Sequence, residues 1–312
     1  MLNYILKRLI MLPPLILGIS FLSFALISLS PSDPAEVALR VNEIVPTEEA
    51  VAGMRQELGL DRPFMVRYLD WLEKSLKLDF GISYATRGPV IEELLPAIVP
   101  TLQLALATLL IIVVSSVLTG VACAVREGRW PDYLGRIFIF FSTAVPNYWI
   151  GLLLLWLFAV KLDWLPLGGR TEGGAVILPA ATLSLAYIGT YVRLIRGSML
   201  GNLSSGYAAY AALRGLRKRT IIWKHVLPNS LQSSVTALGM SIPKLIAGTV
   251  VVENIFAWPG LGRLCVKAIF DRDMPMIQMY ILMMGVLFVL FNFLVDLLQL
   301  RLDPRLRLGK AE

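Results

Sequence analysis

Few side chains in this sequence have the chemistry to hold a metal ion or to catalyse a reaction. His225 is the single histidine, and Cys123 and Cys265 lie in separate segments, so neither a histidine cluster nor a cysteine metal spacing occurs. No Ser-His-Asp set, HExxH motif or Gly-x-x-x-x-Gly-Lys phosphate loop is present. The chain is therefore not expected to be an enzyme, to hydrolyse ATP or to hold a metal of its own.

Two carboxylates fall within apolar segments, Glu253 and Asp296. A charge at the centre of a membrane helix costs about 2.5–3.5 kcal/mol, so such a group usually has a partner or faces a cavity. Glu253 and its neighbour Asn254 are candidates for a translocation pathway that attracts a cationic substrate. The alternative for Glu253 is a structural pair or a cap for the following turn. For Asp296, a salt bridge to a loop arginine is an equal alternative.

Pro146 interrupts another apolar segment and frees one backbone carbonyl. Irregular backbone at membrane depth is tolerated where it is buried or lines a water-filled cavity, which makes Asn147 a further pathway candidate. A helix kink without ligand contact is the alternative. Five methionines between positions 274 and 284 could serve as soft-metal ligands, but apolar packing is favoured for them. For His225, packing or hydrogen bonding is favoured over a metal.

The composition indicates a membrane protein. Of 312 residues, 56% are hydrophobic and 16% are charged, and the mean hydropathy is +0.69, which is too apolar for a soluble domain. The net charge of +7 comes from cations at the ends of apolar runs, so membrane topology explains it better than nucleic-acid binding. No nucleic-acid partner is expected.

Six apolar segments are long enough to cross about 30 Å of hydrocarbon. The first is interpreted as an uncleaved span rather than a signal peptide. The resulting division is 1–30 for the N-terminus and first span, 31–100 for an external insertion, and 101–312 for a five-span core. The predicted spans are 9–29, 101–125, 137–160, 178–195, 231–255 and 276–300.

The stretch 30–100 is the one long polar segment, with twelve acidic and seven basic residues. A helix is predicted after the N-cap Thr47, ending near Gly59, and a second helix carries Tyr68 and Trp71. We expect these aromatic residues to form a small packed cap, and contact with a partner protein is the alternative.

Orientation follows from the distribution of Lys and Arg. With the N-terminus inside, the inner segments 1–8, 126–136, 193–229 and 301–312 carry sixteen cations, whereas the short outer loops carry five. Cytoplasmic loops are enriched in cations, and a long translocated loop is discounted. Both termini are therefore predicted to be cytoplasmic, and the acidic insertion faces out.

The loop 197–229 contains a polar, basic stretch, GYAAYAALRGLRKRTIIWKHVLPN, at 206–229. Its small-residue run predicts a short helix that Ser204 and Ser205 can cap at the start and Gly215 can end. Small side chains allow close approach to another surface, so this helix is interpreted as a docking element for a cytosolic partner. The alternative is an ordinary cytoplasmic loop.

This stretch resembles the coupling-loop signature of ABC importer permeases: EAA, three residues, Gly, nine residues, then I-x-L-P. Ala209 replaces the glutamate and His225 the isoleucine, which puts a polar contact from the first position in doubt but keeps the geometry of a helix followed by glycine. The resemblance implies that the positions contacting the ATPase are Ala209, Tyr210, Ala211, Gly215, Leu227 and Pro228.

Segments along nearly the whole chain resemble the dipeptide, oligopeptide and nickel family of these permeases, and look most like the first permease of nickel or nickel-metallophore importers. The segments include Leu58–Pro63, Leu78–Ser83, Val145–Trp149, Arg193–Leu200 and Glu253–Gly262. The resemblance implies an all-α membrane protein of type I ABC importer permease architecture, with six transmembrane helices and a helical insertion between spans 1 and 2.

The same resemblance implies a set of partners and a location. A second permease subunit, two cytosolic ATPases that bind ATP and Mg, and an external solute-binding protein would complete the importer in the bacterial inner membrane. The implied substrate is nickel or a metal chelate, and a dipeptide or oligopeptide is the alternative. A membrane enzyme or scaffold is the alternative class.

Overall fold

The computed structural model describes residues 2–29, 33–41, 43–170 and 173–302. Over these ranges the chain is helical, with an isolated bridge between Ile82 and Pro89 in place of strands. The helices in chain order are α1 (Leu2–Ser28), α2 (Pro34–Val41), α3 (Glu48–Glu57), α4 (Phe64–Leu76), α5 (Val90–Val125), α6 (Trp130–Ala144), α7 (Asn147–Leu154), α8 (Ile177–Leu203), α9 (Gly206–Leu213), α10 (Lys218–Thr220), α11 (Leu227–Ile255), α12 (Leu261–Phe270) and α13 (Met274–Leu302).

Five helical runs in the described residues are long and apolar enough to cross a membrane, and a sixth is broken. The broken span is α6 followed by Asn147–Lys161, with a bend of 106° between the two parts. Proline explains the position of the break. Val145, which precedes Pro146, is extended (φ −91°, ψ 129°), because proline disfavours the helical conformation in the residue before it. The interruption predicted at Pro146 is confirmed.

Several span boundaries differ from the predicted ones. α5 begins at Val90, so the domain boundary predicted after residue 100 lies inside a continuous helix. Its first turn carries Glu92 and Glu93, which complement the positive end of the helix dipole, and a helix of 36 residues extends past the hydrocarbon. The segment before α11, predicted as loop, is helical from Lys218 onward. The C-terminal tail counted in the charge balance lies outside the described residues from 303 on.

The chain divides into two compact units, of which the first combines Met1–Thr101 with Pro259–Phe291. Its aromatic residues pack as a cluster between α1 and α4. The centroid of the Phe24 ring lies 5.3–5.7 Å from the ring centroids of Phe64, Tyr68 and Trp71. The hydroxyl groups of Tyr68 and Ser20 form a buried hydrogen bond of 2.8 Å. The predicted helices α3 and α4 are present, and the Thr47 Oγ1 accepts a hydrogen bond from the Ala50 N–H as its cap.

A buried carboxylate, that of Asp273, lies directly before α13, whose first part belongs to the same unit. Asp273 is 2% exposed and accepts hydrogen bonds from the Met276 N–H at the start of α13 and from the hydroxyl group of Ser83. Burial, with the nearby Asp273 carboxylate as the lesser cause, raises the pKa of Tyr84 to about 12. Met274, Met276 and Met279 are buried, and the last two belong to an apolar cluster, as expected for core packing.

The second unit combines Leu102–Trp258 with Asn292–Glu312. α8 lies at its centre and packs against α6, α7 and α11. Its buried residues fall on more than one side, because neighbouring helices cover it on several faces. This unit contains every candidate coupling and pathway residue.

Candidate coupling and translocation sites

The docking segment folds as a helix followed by a tight corner. α9 covers Gly206–Leu213, which confirms the short helix predicted from the small residues. Gly215 follows with φ +76°, in the left-handed region that glycine adopts without steric cost. Its N–H donates to the Ala212 carbonyl at 2.9 Å, which closes the turn after the helix. α10 and a π-helical segment, Ile221–Val226, then lead into α11.

The two sides of α9 have different surroundings. Ala208 and Ala211 are buried in an apolar cluster formed with the ends of α5 and α8 and with Ile222. On the other side Tyr210 is 62% exposed and Leu213 is 87% exposed, and Ala209 is exposed as well. The small residues thus seat the helix on the unit, while the larger apolar ones face outward.

The segment is anchored at both of its ends. Leu227 belongs to the same apolar cluster as Ala211, so the structure brings these two predicted coupling residues together, whereas Pro228 is exposed. The Asn202 side-chain amide, at the end of α8, donates to the Ser230 hydroxyl at 3.1 Å and thereby joins α8 to α11. The hydroxyl group of Tyr207 donates to the Asn202 side-chain oxygen at 2.9 Å.

The predicted serine caps are wrong. Ser205 occupies the N-cap position of α9 but makes no side-chain cap, because its hydroxyl donates to the Asn202 carbonyl. Ser204 likewise donates to the carbonyl oxygens of Leu200 and Gly201. Both hydroxyls satisfy carbonyls at the end of α8, which compete with the N–H groups of the next helix.

An ion pair near this segment was missed by sequence reasoning. Asp132 is 1% exposed and accepts two hydrogen bonds from Arg196, from Nε at 2.6 Å and from a terminal nitrogen at 2.9 Å. The Gly128 N–H donates to the same carboxylate at 3.1 Å. This pair holds the turn between α5 and α6 against α8. The sequence signal for this pair is weak, because Glu127 and Asp132 both stand among the cations of the loop and Asp132 is 64 residues away from Arg196.

The pathway candidates have contrasting environments. Asn147 begins α7 and is half-buried, directly after the bend. Glu253 lies in the last turn of α11 with its residue fully buried, whereas Asn254 is exposed and donates to the Val250 carbonyl at 2.8 Å. The neighbours Glu253 and Asn254 therefore point to different surroundings.

The chain after α11 folds back over Glu253. The Trp258 N–H donates to the Glu253 carbonyl at 2.9 Å, and the Gly169 N–H donates to the Phe256 carbonyl at 3.0 Å. Gly168 approaches that Phe256 carbonyl so closely that an added Cβ would collide with it. The surroundings of Glu253 are thus held by backbone contacts, and a larger residue at position 168 would displace them.

Both parts of the chain match families of transport proteins. Residues 116–308 match "Binding-protein-dependent transport system inner membrane component", and residues 1–107 match the N-terminal part of such membrane components.

Two groups of relatives are similar along their whole length. The chain is 38% identical over 310 residues to the metal-staphylopine import system permease protein CntB of Staphylococcus aureus strain Mu50, covering 99% of each chain. It is 36% identical over 307 residues to the glutathione transport system permease protein GsiC of Salmonella typhimurium strain LT2, covering 98% of this chain and 99% of the relative.

Solved structures share the fold. A chain of the inward-facing MetNI methionine ABC transporter matches with a TM-score of 0.56 at 17% identity, covering 68% of this chain and 97% of that one. An amino acid ABC transporter with histidines matches with a TM-score of 0.53 at 14% identity, covering 66% and 92%. The fold is that of type I ABC importer permeases.

Proposed function

We propose that this chain, which belongs to the family of inner membrane components of binding-protein-dependent transport systems, carries a metal–chelate complex inward. As a member of that family it is a permease and not an enzyme. Nickel is the metal that we propose. The observation that supports this substrate is the similarity to a metal-staphylopine permease over 99% of both chains. Sequence chemistry agrees, since one histidine and two cysteines supply few ligands for a bare transition metal. A chelate brings its own ligands.

The energy for transport comes from partner subunits in this proposal. Two cytosolic ATPases bind ATP and Mg, a second permease completes the pathway, and an external binding protein delivers the substrate. α9 is the docking element, since its outward side presents Tyr210 and Leu213 while its small residues fix it to the unit. Movement of the ATPases would shift this helix and lead to alternating access.

The orientation belongs to the same proposal. The cation counts favour a cytoplasmic location for both termini and α9, with the acidic insertion outside.

Glutathione, or another short peptide, is the second candidate substrate. The similarity to glutathione permeases at 36% identity, over nearly the same length as the metal-staphylopine relative, favours it. A membrane enzyme would require catalytic groups that the sequence does not contain.

Uptake in a strain lacking this chain tests the proposed function. We expect loss of the uptake of radioactive nickel presented with an organic chelator, with uptake restored by the intact chain and the partner ATPases. An ATPase carrying an inactivating substitution is the control for energy coupling. Loss of glutathione uptake with normal uptake of the nickel chelate would overturn the metal proposal and keep the importer. Normal uptake of both would contradict import itself.

A further inference from the structure

A groove of about 460 Å³ lies next to the docking segment, within the second unit. It is formed by the end of α5, the turn that follows it, the end of α8 and the start of α10. Leu200 and Leu203 are part of its lining, and its rim carries three cations and one acid: Arg126, Arg129, Lys218 and Glu127.

The cations of this groove are not compensated by acidic side chains. Arg126, Arg129 and Lys218 are exposed, and none of them has a side-chain hydrogen bond or ion pair with another residue in the described part of the chain. The Glu127 carboxylate lies 3.9 Å from Arg196, whose own partner is Asp132. The groove therefore combines an excess of positive charge with apolar contacts from Leu200 and Leu203.

We infer that this groove binds the head group of an anionic phospholipid. It lies where two membrane-length helices, α5 and α8, end, so an occupant can place phosphate among the cations and hydrocarbon along the helices. Basic pockets between membrane helices recognise anionic head groups in this way. Arginine suits the phosphate, because its planar group donates two parallel hydrogen bonds.

The shape of the site favours a lipid over an acidic protein segment. The outward surface of α9 is a projecting apolar one, with Tyr210 and Leu213, and that surface is the one proposed to meet the ATPase. The groove is an open depression between helix ends, and Leu200 and Leu203 in its lining offer apolar contact to a glycerol backbone and the start of an acyl chain. The inference rests on the proposed function in one respect, namely the membrane leaflet that supplies the lipid.

Lipid retention by the full chain, purified with the subunits that accompany it, tests the inference. Native mass spectrometry would measure the apparent Kd of phosphatidylglycerol, with zwitterionic phosphatidylethanolamine as the comparison lipid. The double variant Arg126→Gln/Arg129→Gln removes two rim cations. The matched control Arg217→Gln/Arg219→Gln removes two exposed cations that do not line the groove.

We expect the rim variant to weaken phosphatidylglycerol binding roughly 10- to 30-fold, because each cation near an anionic surface contributes about a factor of five. The control should change binding less than about threefold, and phosphatidylethanolamine should bind weakly to all forms. A normal circular dichroism spectrum of the rim variant would show that it has folded, and Lys218→Gln alone should give about a fivefold loss.

Several results would overturn the inference. Equal losses in the rim and control variants would indicate general charge attraction. Displacement of the lipid by millimolar inorganic phosphate would assign the groove to a free anion. Unchanged lipid binding with loss of the ATPase subunits would assign it to a protein partner. This experiment measures lipid binding and not transport. A defect in uptake with normal lipid binding would therefore count against the proposed function and not against this inference.

Discussion

Gly215 sets the corner after the docking helix, and its φ of +76° makes it the most sensitive position of the segment. Gly215→Val should abolish transport while the complex still assembles, because a β-branched residue in this region costs about 1–3 kcal/mol and the helix would shift instead. ATPase stimulation by loaded binding protein in reconstituted complex is the measurement.

Gly215→Asn is the matched control for that prediction. Asparagine enters the left-handed region far more readily than valine, and nothing lies within 4 Å of an added Cβ at this position. It should therefore keep most of the stimulation. Full coupling in Gly215→Val would show that the corner does not transmit the motion.

Glu253 is predicted to act as a weak electrostatic attractor and not as part of a tight metal site. Equilibrium dialysis of the purified permease pair with nickel should show no stoichiometric binding at micromolar concentrations, and Glu253→Gln should leave that result unchanged. Exposed Glu73→Gln serves as the control. Micromolar binding that disappears in Glu253→Gln would demonstrate a true metal site, because carboxylates do bind such ions when other ligands assist.

At the scale of elements, one carboxylate joins α6 to α8. Asp132→Ala should lower the free energy of unfolding by roughly 3 kcal/mol, because Arg196 would remain largely buried without its partner. Thermal unfolding in detergent would measure the change. Glu36→Gln, which removes an exposed pair with Arg40, should cost less than about 1 kcal/mol. Similar effects of the two variants would contradict the assigned role of burial.

Elements and turns were predictable where local chemistry decides them. The cap at Thr47 follows from its side-chain oxygen, the corner at Gly215 follows from the backbone freedom of glycine, and the break at Pro146 follows from the effect of proline on the preceding residue. The pair between Asp132 and Arg196 could not be predicted, because 64 residues separate the partners and only packing brings them together. The serine caps failed for a similar reason, since two adjacent helix ends compete for one hydroxyl.

For the whole molecule, cysteine labelling checks the orientation. Asp70→Cys should react with an impermeant maleimide in intact cells, whereas Lys218→Cys should react only after the membrane is opened. The reverse pattern at either position would overturn the charge-based orientation.

The native cysteines should give little background in that experiment. Cys123 is buried, and burial raises the pKa of the Cys265 thiol to about 11. At pH 8 about a thousandth of Cys265 is then the reactive thiolate. Strong labelling of the unmodified chain at this pH would contradict that burial.

Composition and the spacing of apolar runs were sufficient to predict an all-α membrane chain and its number of spans, since the bilayer demands helices of a minimum length. They were insufficient for helix ends. Helices such as α5 and α8 continue past the hydrocarbon, where polarity no longer marks their limits. The substrate is harder still to predict, because a pathway for a chelate needs no characteristic ligand spacing.

The unbroken helical run from Lys218 to Ile255 has a mechanical consequence. Its 38 residues are about 55 Å long, well beyond the roughly 30 Å of hydrocarbon, so the run extends past the bilayer core. For a rigid-body rotation about a point near the middle of this run, a tilt of about 5° moves its two ends about 2–3 Å in opposite directions. A displacement of the first part of this run, beside α9, would therefore move Glu253 at its other end in the opposite direction.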